Sequence, residues 1–318
     1  MIRLIISSIL IIKSFVLFSQ REGISRTLNF EHYKQLNEKE KRLPGYKDSD
    51  EGLKLKLLQL DVINRSRKEF DAAPVQLDIL ASRVANKMCR EAAENDYVSH
   101  WNLAGEKPYH RYALAGGRDH VFENAYGERT SGKYNISNSL IGEMMKAGHR
   151  SFMAERAPND GHKMNIINKT HNFVGIGYFI SDNQFRYYEE FIDRYLEFEN
   201  IPEELKINEP VTITVNTKGE SYLYYLIIFR EPMPSPMRVS QLSRLGSYND
   251  YSNEDYLTIP AWDLAHYRNG SIYKIPLKFS KEGLYYIQIF IDKKEHTGLS
   301  ISTKGKTAVS GIVIKVTK

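Results

Sequence analysis

The feature that most constrains this chain is a change of period. Up to about residue 198, apolar residues recur at helical steps over long stretches. Beyond the segment ENIPEELKINEP (199–210) they follow the step of a strand. Steps of three and four place side chains along one face of a helix, and steps of two place them on one face of a strand. A chain that switches from one to the other builds two cores of different kinds. The expected fold class is therefore α+β, a helix-and-sheet unit followed by a smaller all-β unit of immunoglobulin-like type. Five runs support the second unit: VTITVNT, SYLYYLIIFR, SIYKIPLKF, LYYIQIFIDKK and SGIVIKV, separated by turns such as KG, NG and EG.

Within the first part, Leu53, Leu57 and Leu60 start a helix that continues toward Phe70. Leu77, Leu80, Ala81, Val84, Ala85, Met88 and Ala92 form the stripe of a second, with Asp78 as its N-cap. That stripe is rich in alanine, so another element can approach it closely. Residues 137–157 read as a third helix. Asn172–Ile180 and Gln184–Ile192 read as a hairpin turning at Ser181-Asp182-Asn183. Between helices two and three, residues 98–129 lose regular periodicity but keep Trp101, Tyr109, Tyr112, Phe122 and Tyr126. The aromatics argue against disorder and mark a loop-rich functional stretch. Residues 21–50 are charged and polar and read as a flexible lead-in that could hold a short helix.

MIRLIISSILIIKSFVLFSQ, residues 1–20, has the form of a signal peptide: a positive start at Arg3, an apolar core and a small or polar end. Its apolar run is far below the roughly 20 residues that a spanning helix needs. The expectation is a secreted, periplasmic or extracellular protein with no transmembrane helix in the mature chain. Net charge is +5; Arg3 and Lys13 leave with the leader, and +5 − 2 = +3 remains. That excess is too mild for a nucleic-acid binder. Cys89 is the one cysteine, so no internal disulfide is available.

Four residues in loops or at element ends carry the chemistry: His100 in YVSHWNLAG, Glu123 in FENAYG, Glu155 in FMAERAPNDGH and His162 in DGHKMNI. Imidazole nitrogen and carboxylate oxygen both suit zinc or another divalent metal, with His100 and His162 as the metal ligands. The same four could instead hydrogen-bond as two His–Glu couples that staple loops. No spacing matches a tight zinc motif such as HExxH.

In order along the chain, LLQLDVINRSRKEF, PVQLDILASRVANKMC, SHWNLAG, RYALAGG with FENAYG, GHKMNI and FVGIGYF resemble the CAP superfamily. This is the superfamily of cysteine-rich secretory protein, antigen 5 and pathogenesis-related 1, also called the SCP domain. The likeness is to its bacterial type, without paired cysteines. It implies an α-β-α sandwich over residues 51–198; the strand alternation places the β-sandwich over 205–318. It also implies that His100, Glu123, Glu155 and His162 meet as a tetrad in a cleft. Glu143 and Asp160 rival Glu155, since Phe152 stands where the family often has tryptophan.

Three functions compete. The cleft binds a lipid, peptide or glycan, with or without a metal. Alternatively it is a zinc-assisted hydrolase or peptidase, or the β-sandwich makes the protein a cell-surface adhesion or scaffold module. Ser99 and Ser139 offer hydroxyls for a triad, but neither lies in a nucleophile elbow. Binding is favoured, and the sequence leaves open whether any catalysis occurs.

Overall fold

A computed structural model describes residues 29–245, 248 and 255–318. The leader expected at residues 1–20 lies outside them. Residues 29–39 form helix α1, which belongs to the stretch expected as a flexible lead-in. Its described part, from residue 29 on, is anchored rather than loose. Tyr33 is buried, and Arg83 donates to the carbonyls of Asn37, Glu40 and Arg42. The anchors are polar and few, so no apolar stripe announced them.

The first unit then runs α2 (Asp50–Glu69), β1 (Gln76–Leu77), α3 (Ile79–Glu94), α4 (Pro108–Leu114), β2 (His120–Arg129), α5 (Asn138–Met153), α6 (Gly161–Ile166), β3 (Phe173–Ile180) and β4 (Gln184–Asp193). The sheet order is β1-β3-β4-β2; β1 is parallel to β3 and the other pairs are antiparallel. Ser49, Asp78 and Ser137 cap α2, α3 and α5, each side chain accepting a backbone N–H three residues on. Helix α3 covers one face of the sheet, and α2 with α5 covers the other.

The glycines of β3 decide how close α3 sits. A Cβ on Gly175 would lie 2.4 Å from the carbonyl carbon of Ala81, and one on Gly177 would lie 2.4 Å from that of Ala85. The alanine stripe of α3 thus rests directly on strand backbone. On the far face, Val174, Ile176, Phe185, Tyr187 and Phe191 pack with Leu53, Leu60, Ile63, Met144, Met145 and Phe152. Arg67 of α2 is fully buried. It donates to the carbonyls of Ala73, Ile166, Asn168 and His171, tying the α6 loop to the helix layer.

The second unit contains β5 (Leu196–Glu199), β6 (Glu204–Lys206), β7 (Pro210–Thr217), β8 (Tyr222–Glu231), α7 (Val239–Leu242), β9 (Asp255–Pro260), α8 (Ala261–Leu264), β10 (Arg268–Asn269), β11 (Ile272–Lys278), β12 (Gly283–Asp292), β13 (Thr307–Ala308) and β14 (Ile312–Thr317). One sheet is ordered β10-β11-β7-β5, the other β6-β14-β12-β8-β9 with β13 on β12. Lettered in chain order, these are the D-E-B-A and A′-G-F-C-C′ sheets of an immunoglobulin-type sandwich. Ile213, Val215, Ile275 and Leu277 from the first sheet meet Leu226, Ile228, Ile287 and Ile314 from the second. Tyr285 and Tyr286 are fully buried, so these tyrosines serve packing rather than a contact surface. Two segments of the expected boundary belong to this unit: β5 pairs with β7, and β6 pairs with β14.

The two units share a core. Leu80, Tyr109, Tyr112 and Val121 pack with Phe229, Leu284, Tyr286 and Val313, and the Tyr109 and Tyr286 rings stack at 4.3 Å. A buried polar line crosses the same junction. Asn124 accepts from Asn165, whose amide oxygen lies 2.9 Å from His171. His171 and His120 share Asp193, and Gln288 of β12 donates to His120.

Nearby, Glu231 at the end of β8 receives Tyr109 and Lys107 and lies beside His110. Burial alone would raise its pKa, but His110, Tyr109 and Lys107 outweigh burial and hold the carboxyl at about 2, against an ordinary 4.5. A depressed carboxylate stabilises the folded state fully above its unfolded value and loses that contribution as pH falls through the folded one. Glu231 is therefore expected to contribute up to about 3 kcal/mol that vanishes between pH 4.5 and 2. Thermal melts across that window should fall more steeply for the wild type than for Glu231→Gln. Parallel slopes would show that the contact carries no such linkage.

Candidate functional site

Strand β2 is an edge of its sheet and carries Glu123 directly opposite Glu190 of β4. The loop before α4 brings His100 to it, with Nδ1 2.8 Å from Glu123 Oε1. Arg111 of α4 binds the other carboxylate oxygen. It also donates to the His100 carbonyl at 2.6 Å and stands 3.8 Å from Glu190. A second couple comes from the other side of the sheet. Glu155, just past α5, lies 2.5 Å from His162 Nδ1 and accepts the His162 backbone N–H at 3.0 Å. Phe152 stacks on the His162 ring at 4.8 Å. The two imidazoles face each other across the edge of β2, with centroids 6.3 Å apart and planes at 33°. Of the rivals to Glu155, Glu143 pairs with Lys146 on an exposed face, and Asp160 only precedes α6 without capping it through its side chain.

The carboxyls differ because their surroundings differ. Burial would raise Glu123, but Arg111 and His100 outweigh it and hold the group below its ordinary value. Glu190 is pushed well above its ordinary value by burial and by the neighbouring Glu123 charge. Its two oxygens have no hydrogen-bond partner among the described residues. Of the two, Glu190 is the one that burial and the Glu123 charge drive toward the protonated form. Sequence reading passed over Glu190 and Arg111, whose surroundings (QFRYYEEFID and PYHRYAL) read as ordinary strand and loop.

The site is largely enclosed. The Glu123 side chain is fully buried, and those of His100, Glu155 and His162 are 17%, 23% and 33% exposed. Part of the cover comes from the second unit. The connection leaving β8 crosses to the first unit, where the Met237 N–H reaches the Leu103 carbonyl. Leu242 is buried among Met88, Cys89, Tyr97 and Tyr188. Further along, Tyr248 sets its ring 4.8 Å from His100, and its hydroxyl accepts the Glu123 backbone N–H at 3.0 Å. Nothing local in the sequence relates residue 248 to residue 123.

Each histidine uses Nδ1 on a glutamate, which fixes the ring and leaves Nε2 for a ligand, as outer carboxylates do at metal sites. Among the described residues, however, no three His, Cys, Asp or Glu are grouped to hold an ion. Two imidazole nitrogens fall short of the three protein ligands of a catalytic zinc. Ser99 accepts the Trp101 N–H and is not paired with a histidine.

A Ser–His–Glu line does occur elsewhere: Ser66 Oγ is 2.9 Å from His149 Nε2, and His149 Nδ1 is 2.9 Å from Glu189. Ser66 sits inside α2, where the helix ladder takes up the backbone N–H groups that an oxyanion hole would need. The line fits packing between α2 and α5. A cavity of about 500 Å³ also lies away from the histidines, between α1 and the start of α3, lined by Tyr33, Leu36, Leu80, Phe173, Asp119 and Arg194. The paired histidines and glutamates, not the cavity volume, mark the candidate site, because Arg194 in the cavity is already held by Asp78 and Asp119.

No protein-family model matches the chain, and no curated protein matches it in sequence. Three solved structures are similar to part of it. One is an extracellular protein containing an SCP domain from Bacillus anthracis, with 17% identity, 43% of this chain and 40% of that chain covered, and a TM-score of 0.33. An outer surface protein from Borrelia burgdorferi has 18% identity, 44% and 92% covered, and a TM-score of 0.35. A cysteine-rich secretory protein from Staphylococcus aureus has 15% identity, 44% and 38% covered, and a TM-score of 0.29. The match thus spans about two fifths of the Bacillus chain. No helix among the described residues is long and apolar enough to cross a membrane.

Proposed function

We propose that this chain is an exported CAP-type binding protein that holds a ligand at the paired histidines, with the sandwich fixed beside the cleft. The observation that carries the reading is the disposition of the two imidazoles. Each is held through Nδ1 by its own glutamate, and the two rings stand 6.3 Å apart, so neither Nε2 is taken up by that glutamate. That arrangement is pre-set to receive a polar group. Among the described residues it has neither an activated nucleophile nor the donor set of a catalytic metal, so binding is favoured over hydrolysis. A divalent ion enters the proposal only as a two-nitrogen site that the ligand completes.

The test compares wild type with the His100→Ala, His162→Ala double variant in two assays. One is zinc titration. The other is retention of liposomes, a random decapeptide pool and a glycan panel on immobilised protein. At least one of the three probe classes is expected to be retained tenfold or more over the variant. Zinc binding, where present, should weaken as pH falls, because both imidazoles must be neutral to coordinate. Equal retention of every probe by the two proteins would sink the reading.

A further inference from the structure

We infer that the ligand is an extended polypeptide, which adds as a strand to the outer edge of β2 and passes between the two histidines. This rests on the binding reading above and names its ligand class. In an antiparallel pair, successive residues point their backbone groups alternately toward the partner strand and away from it. The Glu123 N–H goes to Tyr248 and not to β4, so the odd-numbered residues of β2 point outward. Among the described residues, the N–H and C=O groups of Ala125 and Gly127 meet no hydrogen-bond partner outside the strand pairing. Both residues are half-buried, so any cover must satisfy those groups. From Glu123 to Gly127 the edge is about 13 Å long at ~3.3 Å per residue.

The class of occupant follows from the pattern of these groups. A lipid chain laid here would leave outward donors and acceptors unpaired, at about 1–3 kcal/mol for each one buried. An extended polypeptide offers alternating carbonyls and amides at the same repeat and satisfies them in register. The Tyr248 hydroxyl already shows that the edge accepts an oxygen at the Glu123 N–H, the position a peptide carbonyl would take. The flanking loops then supply selectivity. The His100 couple lies on the α3 side of the edge. The His162 loop lies on the α5 side, where Asn124 donates to the His162 carbonyl. Alternate side chains of the added strand therefore meet His100 with Trp101 and Tyr248 on one side, and His162 with Phe152 on the other.

The experiment uses the full mature chain and two probes: the random decapeptide pool, and the same pool N-methylated at alternate backbone nitrogens. Ala125→Pro removes one outward N–H without touching the β2–β4 ladder, where proline is tolerated on an edge. The wild type should retain the unmodified pool tenfold or more over the methylated one. Ala125→Pro should lose most of that retention, and the pool should slow amide exchange at Ala125 and Gly127. Should the proline variant fold poorly, the comparison of the two pools on wild type still decides. Three results overturn strand addition: equal retention of both pools, full retention by a folded Ala125→Pro, or protection of these amides that scales with protein concentration without peptide, the mark of a second copy. If peptides are lost on the double histidine variant but not on Ala125→Pro, cleft binding stands and edge pairing fails. If only liposomes or glycans are retained, the peptide class fails and the cleft reading survives.

Discussion

Arg111→Ala is expected to destabilise the protein by about 3–5 kcal/mol, the cost of leaving a buried charge uncompensated. Arg111 is the cation between Glu123 and Glu190, which face each other on adjacent strands with their side chains out of water. Removing it leaves two buried carboxyls and takes a hydrogen bond from the His100 carbonyl. The pH dependence separates charge from packing. Without the guanidinium both carboxyls favour their protonated forms, so the deficit should shrink as pH falls from 7 toward 4. Urea unfolding at several pH values measures this. A loss below about 1 kcal/mol, or one that does not change with pH, would show that the arginine merely fills space.

Gly175→Ala is the second large effect, and its sign depends on place. The added methyl would sit 2.4 Å from both the carbonyl carbon and the Cβ of Ala81, so either α3 or β3 must move. Overpacking of this kind costs about 1–3 kcal/mol, and the backbone nature of the obstacle puts the expected loss near the upper end. Gly142 in α5 is the contrast. There the nearest atom is the end of the Leu55 side chain at 3.7 Å, so alanine fits. Gly142→Ala should stabilise by about 0.5–1 kcal/mol through helix propensity. Equal effects from the two substitutions would mean that close approach of helix and sheet is not what Gly175 provides.

The outer features of this fold were legible because they repeat. The stripe of α3, the cap at Asp78 and the β3–β4 hairpin all follow periods or residue types tied to one local geometry. Strand β2 escaped because its buried face carries Glu123 and its neighbours include buried Asn124, so HVFENAYGER has the polarity of a loop. The four tetrad residues could be named from order along the chain, but their partners could not. Arg111 and Glu190 acquire meaning only when β2 lies beside β4, and Tyr248 only when the second unit docks. Periodicity reports which face of an element is buried and is silent on which charges the fold will place together there.

The polar line from Asn124 through His171 and Asp193 to His120 and Gln288 turns the junction of the two units into a keyed joint. Greasy surfaces can slide over one another at little cost, whereas a buried hydrogen-bond line fits in one position and is penalised in all others. The angle between the histidine pair and the far end of the sandwich is thereby set during folding. If the sandwich stands on a surface, the cleft has a built-in aim, and a foreign sandwich grafted after Asp193 would need its own partner for His120 to preserve it.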